Sequence, residues 1–265
     1  MDRVYEGDKF DRVGIPGALM TTFHAEYHDG FVFPEHYHDL DQIIFATQGV
    51  MTVQTAQGIW VLPTNRGLWI PAGVVHAVRM SGTVAARTLY LKPHLAPEMP
   101  RACCVIQISD LLKELILQAC CFPALNRRTA FQSHLIGLIG QLLRSSKLLP
   151  LQLPQPVDPR AQKVANVLLT DPSTPLPTDE ICRLAGASRR TVERLFQQDI
   201  HMTLGKWKQQ LRLVHSLRLL AQGLKVSSVA REAGYSSSSA FISMFKNLLG
   251  TTPAVYFQKK SAYRM

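Results

Sequence analysis

Thr178-Asp-Glu-Ile-Cys-Arg-Leu-Ala-Gly-Ala-Ser-Arg-Arg-Thr-Val-Glu-Arg-Leu-Phe196 decides how the rest of the chain is read. A short amphipathic run stops at Gly186, and Ser188 then caps a longer basic run, which predicts a helix, a tight turn and a second helix. The pattern returns 48 positions later. There, Ser228-Val-Ala-Arg-Glu-Ala-Gly-Tyr-Ser236 repeats the Arg, Ala, Gly and Ser of Glu180-Ile-Cys-Arg-Leu-Ala-Gly-Ala-Ser188. One extra residue enters the second copy, so Phe245 answers Phe196.

Between the copies, Thr203 to Gln222 carries Leu204, Trp207, Leu211, Val214, Leu217 and Leu220 at spacings of three and four. This predicts one helix capped by Thr203. Roughly 20 residues at about 1.5 Å each span about 30 Å, close to the ~34 Å between successive major grooves on one face of B-DNA. Each unit alone is too poor in apolar residues to stand as a domain, so both must pack on this helix. It then acts as a ruler between two DNA-reading elements.

These residues resemble the DNA-binding domain of the AraC/XylS family of bacterial transcription regulators. The resemblance runs through Ser188, Arg194-Leu-Phe196, Thr203, Trp207, Arg212, Leu219-Leu220, Val229-Ala230, Ala233-Gly-Tyr235, Ser239-Ala-Phe241, Phe245-Lys246, Gly250-Thr-Thr-Pro253 and Tyr256. Three positions depart from it: His201 stands where the family usually has Gly, Ser216 where it has Ala, and Phe257 where it has Arg. The resemblance implies double-stranded promoter DNA as partner, a small-molecule effector, and RNA polymerase as a further partner if the protein activates. It puts Arg190, Glu193 and Arg194 on the groove-facing side of the first recognition helix, where Arg can pair bidentately with guanine and Glu can accept from cytosine. Arg189 and Gln197 are assigned to the DNA backbone. In the second unit Ser238, Ser239 and Ser243 take the corresponding places, and with Lys246 they are expected to position the protein on phosphates more than to read bases.

The charge agrees with this division. The chain has 265 residues and a net charge of +10. From Asp158 onward there are 16 Lys and Arg against 7 Asp and Glu, so nearly all of the surplus lies in the repeat-bearing part. A hydrophobic content of 46% with 18% charged residues is ordinary globular composition and excludes a disordered chain. No apolar run approaches the length of a membrane span, and Met1-Asp-Arg-Val-Tyr-Glu-Gly-Asp8 lacks the apolar core of a secretion signal, so a cytoplasmic protein without membrane contact is expected. The five Cys, among them Cys103-Cys104 and Cys120-Cys121, do not form a disulfide framework and are read as reduced core thiols.

Residues up to about Pro97 read as strands: Gln42-Ile-Ile-Phe-Ala-Thr47, Met51-Thr-Val-Gln-Thr55 and Gly67-Leu-Trp-Ile70 are short apolar runs parted by Gly and Pro. Pro34-Glu-His-Tyr-His-Asp-Leu-Asp-Gln42, with Gly49 seven residues on, and Pro71-Ala-Gly-Val-Val-His76 resemble the two cupin motifs. That resemblance implies His36, His38, Gln42 and His76 as metal ligands inside a small barrel. His at i and i+2 on a strand share a face, and a third His from another strand can complete a facial set. Gln42 stands where cupins more often carry Glu, and Met80 where they carry Asn. Two readings stay open: a bound divalent metal, or imidazoles that hydrogen-bond one another or line a ligand pocket. Tyr37, Phe45, Trp60 and Trp69 are available as apolar lining.

From Ile108 to Leu148 the period turns helical. Leu111, Leu112, Leu115, Ile116 and Ala119 form one stripe and Leu135, Leu138, Ile139, Leu142 and Leu143 another, broken at Phe122-Pro123. Such helices either pack on their own barrel or carry a homodimer contact, as the resemblance to AraC-type regulators implies. Leu149 to Pro159 is Pro-rich, and Asp158-Pro159 suits a helix cap with Pro at the first position.

The expected architecture is therefore α+β with two domains. A cupin-like β-barrel spans 1–97, a helical segment 98–148 and a linker 149–159; an all-α domain with two helix-turn-helix units on a central linker helix spans 160–265. The function expected is a ligand-responsive transcription factor. A metal-dependent cupin enzyme with an appended DNA-binding domain is the alternative, against which Gln42 and the shortage of acid–base carboxylates near the histidines both argue.

Overall fold

A computed structural model describes residues 14–64, 66–149 and 152–258. The N-terminal stretch Met1 to Asp8, with Pro150 and Leu151 of the linker, lies outside the described residues. The chain divides into two compact units, one running to Ala56 and from Trp60 to Gln152, the other made of Leu153 onward with Gln57–Ile59.

The first unit holds the strands β1 (Met20–Tyr27), β2 (Val32–His36), β3 (Asp41–Thr55), all of β4 (Gly58–Leu62) but its first two residues, β5 (Arg66–Ile70), β6 (His76–Leu91), β7 (Cys104–Gln107), β8 (Ala124–Leu125) and β9 (Leu148–Leu149). Its helices are α1 (Asp110–Ala119) and α2 (Ala130–Arg144). Among the described residues, hydrogen bonding follows the open path β8-β1-β6-β3-β5-β7-β9, with β2 on β6 and β4 on β3. The long strand β6 is the spine. Its first half pairs with β2, its second half with β1, and β3 runs along both.

Period-two alternation sorts the side chains of this sheet. Ile43, Phe45, Leu89 and Leu91 turn to one side and join Trp69, Ile106, Leu112, Ile116, Leu135 and Ile139 in a single buried core with α1 and α2. Gln42, Ile44, Thr88 and Tyr90 turn to the other side, where they line a small cavity. A bulge at Ala46–Val50 breaks the β3–β6 ladder. Gly49 makes it feasible: its φ is +78°, and a Cβ there would lie 2.5 Å from the Thr83 carbonyl oxygen.

One expectation needs correcting. The sheet does not stop near Pro97, because β7, β8 and β9 pair with β5, β1 and β7 from within the segment read as helical. These runs are two to four residues long, and such strands are fixed by their partners, not by any local period. The helices α1 and α2 cover their own sheet with Leu112, Ile116, Leu135 and Ile139, while Leu111, Phe131 and Leu138 stay exposed.

The second unit is helical: α3 (Pro159–Thr170), α4 (Thr178–Leu184), α5 (Arg189–Ile200), α6 (Leu204–Ala221), α7 (Val226–Glu232), α8 (Ser238–Leu249) and α9 (Pro253–Gln258). The Asp158 side chain caps α3 by accepting from Arg160 N, and Thr203 caps the ruler helix α6 by accepting from Lys206 N. Trp207 fixes the first helix-turn-helix to the ruler. It is fully buried, lies edge-on to Phe196 at 5.6 Å between centroids, and donates its indole N–H to the Pro154 carbonyl at 2.8 Å. Phe241, Phe245 and Tyr256 make the matching aromatic stack in the second unit.

Both turns use a glycine in the left-handed region, Gly186 at φ +80° and Gly234 at φ +74°. The caps of the recognition helices are Ser188, accepting from Thr191 N, and Ser237, accepting from Ala240 N. The extra residue of the second copy therefore sits in the turn between Gly234 and Ser237, and from the caps onward the two helices run at an offset of 49.

Candidate nucleic-acid interface and histidine cavity

On α5, Val192, Leu195 and Phe196 are buried, which leaves Arg190, Arg194 and Gln197 exposed at i, i+4 and i+7 along one face. On α8, Phe241, Met244 and Phe245 are buried, and Ser239, Ser243 and Lys246 are exposed at the same spacing. At the offset of 49 these two triplets coincide position by position. The geometry thus presents the same stripe twice, from helices whose N-termini are capped alike.

Glu193, three residues after Arg190, lies on the same exposed side at the edge of this stripe, and Arg189 flanks it. Arg189 Nε donates to Glu193 Oε1 at 3.0 Å, and its guanidinium lies 3.7 Å from Asp179. Both partners raise the Arg189 pKa. The pair is exposed and weak, and the Glu193 carboxylate keeps further lone pairs free to accept. Ser238 is partly covered at the first turn of α8. Arg190 and Arg194 have no ion pair among the described residues and present their charge outward.

In the sheet domain His36 closes β2 and pairs in register with His76, the first residue of β6. His38 lies past the end of β2, in the turn to β3, and Gln42 follows on β3. These side chains approach one another because the chain turns between β2 and β3, not because 36 and 38 share one strand. Ring centroids are 4.3 Å apart for His36 and His76, 5.2 Å for His38 and His76, and 6.3 Å for His36 and His38. Each ring spends its Nδ1 on a backbone carbonyl: Pro34 for His36, Leu40 for His38, and Val74 for His76. With Nδ1 the donor, Nε2 carries the lone pair.

His38 Nε2 faces the Gln42 side-chain amide at 3.1 Å, and the other end of that amide lies 3.3 Å from the Tyr90 hydroxyl. These contacts are compatible when the amide NH2 faces the ring nitrogen and its oxygen accepts from Tyr90. His76 Nε2 is buried with no partner. Burial pushes the His76 pKa down to about 3, with the neighbouring His36 and His38 adding to it against the hydrogen bond to Val74. His36 is lowered by burial as well.

The cavity beside them is small, about 20 Å³; His36, Gln42 and Tyr90 reach its wall, with Phe23, Tyr27, Phe33, Ile44 and Met80, whereas His38 and His76 do not line it. That admits a single water or ion. Among the described residues no three His, Cys, Asp or Glu side chains are close enough as placed to hold a metal. The donor chemistry nevertheless suits one, since a carbonyl-anchored Nδ1 and an orphaned Nε2 are how histidines are prepared for metal ligation.

The aromatic lining read from the sequence is elsewhere. Tyr37 is exposed; Phe45 and Trp69 differ from Gln42 by an odd number of positions along the paired strands and so face the helices; Trp60 is buried on β4. Phe23 and Tyr27, two apart on each side of Ala25 in β1, line the cavity instead, and their alternation was the signal available. The cysteines are free thiols, and burial pushes Cys103 up to about 12 and both Cys104 and Cys120 up to about 11. Such thiols are unreactive.

Residues 19–155 match the AraC-like ligand binding domain family and residues 181–259 a helix-turn-helix domain family. The chain belongs to the AraC family of transcription regulators. It joins a ligand-binding domain to a DNA-binding domain that carries two helix-turn-helix units. Over 255 residues it is 30% identical to the HTH-type transcriptional regulator NimR of Escherichia coli strain K12, covering 96% of this chain and 91% of that one. RipA of Corynebacterium glutamicum, also an HTH-type transcriptional regulator, is 28% identical over 103 residues, 39% of this chain and 31% of that one. An AraC-type transcriptional regulator structure from Chromobacterium violaceum is 28% identical, with a TM-score of 0.37, covering 40% of this chain and 96% of that chain. An enzymatic cupin finds no support among these relatives, which carry the names of regulators.

Proposed function

We propose that this AraC-family regulator reads promoter DNA with Arg190, Arg194 and Gln197 of α5 and seats its second unit on phosphates with Ser239, Ser243 and Lys246 of α8. The observation that carries this is the coincidence of the two exposed triplets at one offset, on helices with matching serine caps. Two guanidiniums reach base edges, whereas two short hydroxyls and a Lys serve the backbone. Sequence preference therefore resides mainly in the first helix-turn-helix. Arg189 and Glu193 support the position of α5, and Ser238 serves the first turn of α8. The protein acts in the cytoplasm on double-stranded DNA, without enzymatic turnover, and contacts RNA polymerase if it activates.

The histidine cavity is the ligand-responsive part in this reading. His36, Gln42 and Tyr90 in its wall are the polar anchors that a small effector would meet on entering, and the buried, unpartnered His76 Nε2 lies behind His36. At about 20 Å³ the cavity must open to admit anything larger than water or an ion, which gives the effector a conformational change to drive. A divalent ion is the second occupant, favoured by the carbonyl-anchored rings; His36, His38, Gln42 and His76 would hold it, and it would supply a Lewis-acidic anchor for the effector. Exposed Leu111, Phe131 and Leu138 on α1 and α2 support a homodimer.

The test is a gel-shift and footprinting series with the full-length protein on promoter DNA of its own and neighbouring genes. A footprint spanning two successive major grooves, weakened far more by Arg190→Ala than by Ser239→Ala, is expected. Binding without sequence preference, or a preference untouched by Arg190→Ala, would refute the assignment. Elemental analysis of untagged protein decides whether the cavity holds a metal.

A further inference from the structure

An open cleft of about 420 Å³ in the helical unit lies between its two helix-turn-helix elements, beside the base-reading stripe. Arg189 and Glu193 of α5, Lys208 and Arg212 of α6, and Tyr235 of the second turn form its wall, with Thr178 at one end. Its cations are unequally served. Arg189 is answered by Glu193 and Asp179. Lys208 and Arg212 have no carboxylate within 4.0 Å among the described residues. They stand one turn apart on the same helix, where like charges repel.

Both are also partly stripped of water. Lys208 Nζ donates to Thr178 Oγ1 at 3.0 Å and keeps its remaining N–H groups for the cleft. The Arg212 guanidinium lies over the Tyr235 ring, 5.7 Å from its centroid, and its Nε is buried with no hydrogen-bond partner. Burial, and after it the charges of Arg212 and Arg189, lower the Lys208 pKa. Two unneutralised, half-desolvated cations around an open volume constitute a site that lacks its anion. A carboxylate would neutralise one charge; a phosphate group offers up to two charges and several acceptor oxygens to a Lys point charge and an Arg fork.

We propose that this cleft is a seat for a phosphate-class oxyanion, held by Lys208 and Arg212 and walled by Tyr235. Two sources share that chemistry. One is a free phosphate-bearing small molecule, and the other is a phosphodiester of the bound DNA. Arg189 opens α5 and Tyr235 directly precedes the cap of α8, so the N-terminal ends of both recognition helices border the cleft. A strand passing from one major groove to the next would run across it; this second source rests on the DNA-binding reading above.

The experiment uses the full chain, with Lys208→Gln as the variant and Lys208→Arg as the charge-keeping control, both checked for wild-type melting in chloride. In one arm, melting temperature is followed against inorganic phosphate and against chloride at matched ionic strength. A saturable rise specific to phosphate, lost in Lys208→Gln and retained in Lys208→Arg, shows a seat for a free anion. In the other arm, DNA affinity is measured against salt. If the seat takes a phosphodiester, Lys208→Gln lowers the slope of log K against log salt by about 0.9, equally on operator and unrelated DNA, and Lys208→Arg restores it. A Lys208→Gln protein unchanged in both arms overturns the proposal. Wild-type protein that fails to bind any promoter DNA at low salt refutes the DNA-binding reading instead, and the phosphate arm then decides the seat by itself.

Discussion

Arg194→Ala removes a guanidinium from the middle of the exposed stripe of α5, and its consequences can be divided between stability and binding. Arg194 is exposed and has no ion pair among the described residues, so its loss breaks no intramolecular contact of consequence. Alanine is also the better helix former. Stability should change by no more than about 0.5 kcal/mol, as for surface substitutions in general. Binding is different, because a bidentate Arg–guanine pair contributes about 1–3 kcal/mol of discrimination, which corresponds to roughly a 5- to 150-fold loss on the operator. Arg189→Ala gives the contrast, since that side chain is already tied to Glu193 and Asp179; its removal should cost operator affinity less. Fluorescence anisotropy on operator and scrambled DNA, beside thermal melting, measures both quantities. An Arg194→Ala protein with wild-type operator affinity and unchanged base preference would sink the reasoning, as would a loss equal on both DNAs, which would make Arg194 a phosphate contact.

Three further outcomes are expected. His201 ends α5 at φ +54°, the only non-glycine residue with positive φ among the described residues, so His201→Gly should raise stability by about 0.5–1 kcal/mol by relieving the left-handed backbone; a lower melting temperature would contradict this. Gly49→Ala places a Cβ 2.5 Å from the Thr83 carbonyl as well as straining the backbone, and should cost more than about 2 kcal/mol in a urea titration, whereas a loss below about 0.5 kcal/mol, the range of surface substitutions, would mean the bulge readily rearranges. Asp158→Ala removes the cap of α3 and should lower the melting temperature near neutral pH. Because the Arg160 side chain and backbone hold the Asp158 carboxyl down to about 2, below its ordinary value of 3.8, the cap stabilises above that ordinary value and is lost as pH falls toward 2; a wild-type advantage that instead grows on acidification would refute it.

The sequence by itself determined the second unit almost completely. Its longer helices open on a Ser, Thr or Asp cap and both of its helix-turn-helix turns carry a Gly, and these are local signals: Thr203 and Gln222 bracket α6 as expected, and Asp158-Pro159 opens α3. The position of the inserted residue, in the turn before Ser237, needed the structure, because two serines in a row offer two equivalent caps. In the sheet domain the motif residues were legible but their assembly was not. Parity along β3 and β6 decided that Gln42 and Tyr90 face the histidines while Phe45 and Trp69 face the helices, and parity can be assigned only once the register of pairing is known. Strands as short as β8 and β9 carry no period of their own, and a cleft lined from α5, α6 and the second turn brings together residues more than forty positions apart. Local backbone chemistry is written in neighbouring residues; which side chains share a cavity is set by long-range pairing, and only the tertiary structure decided that.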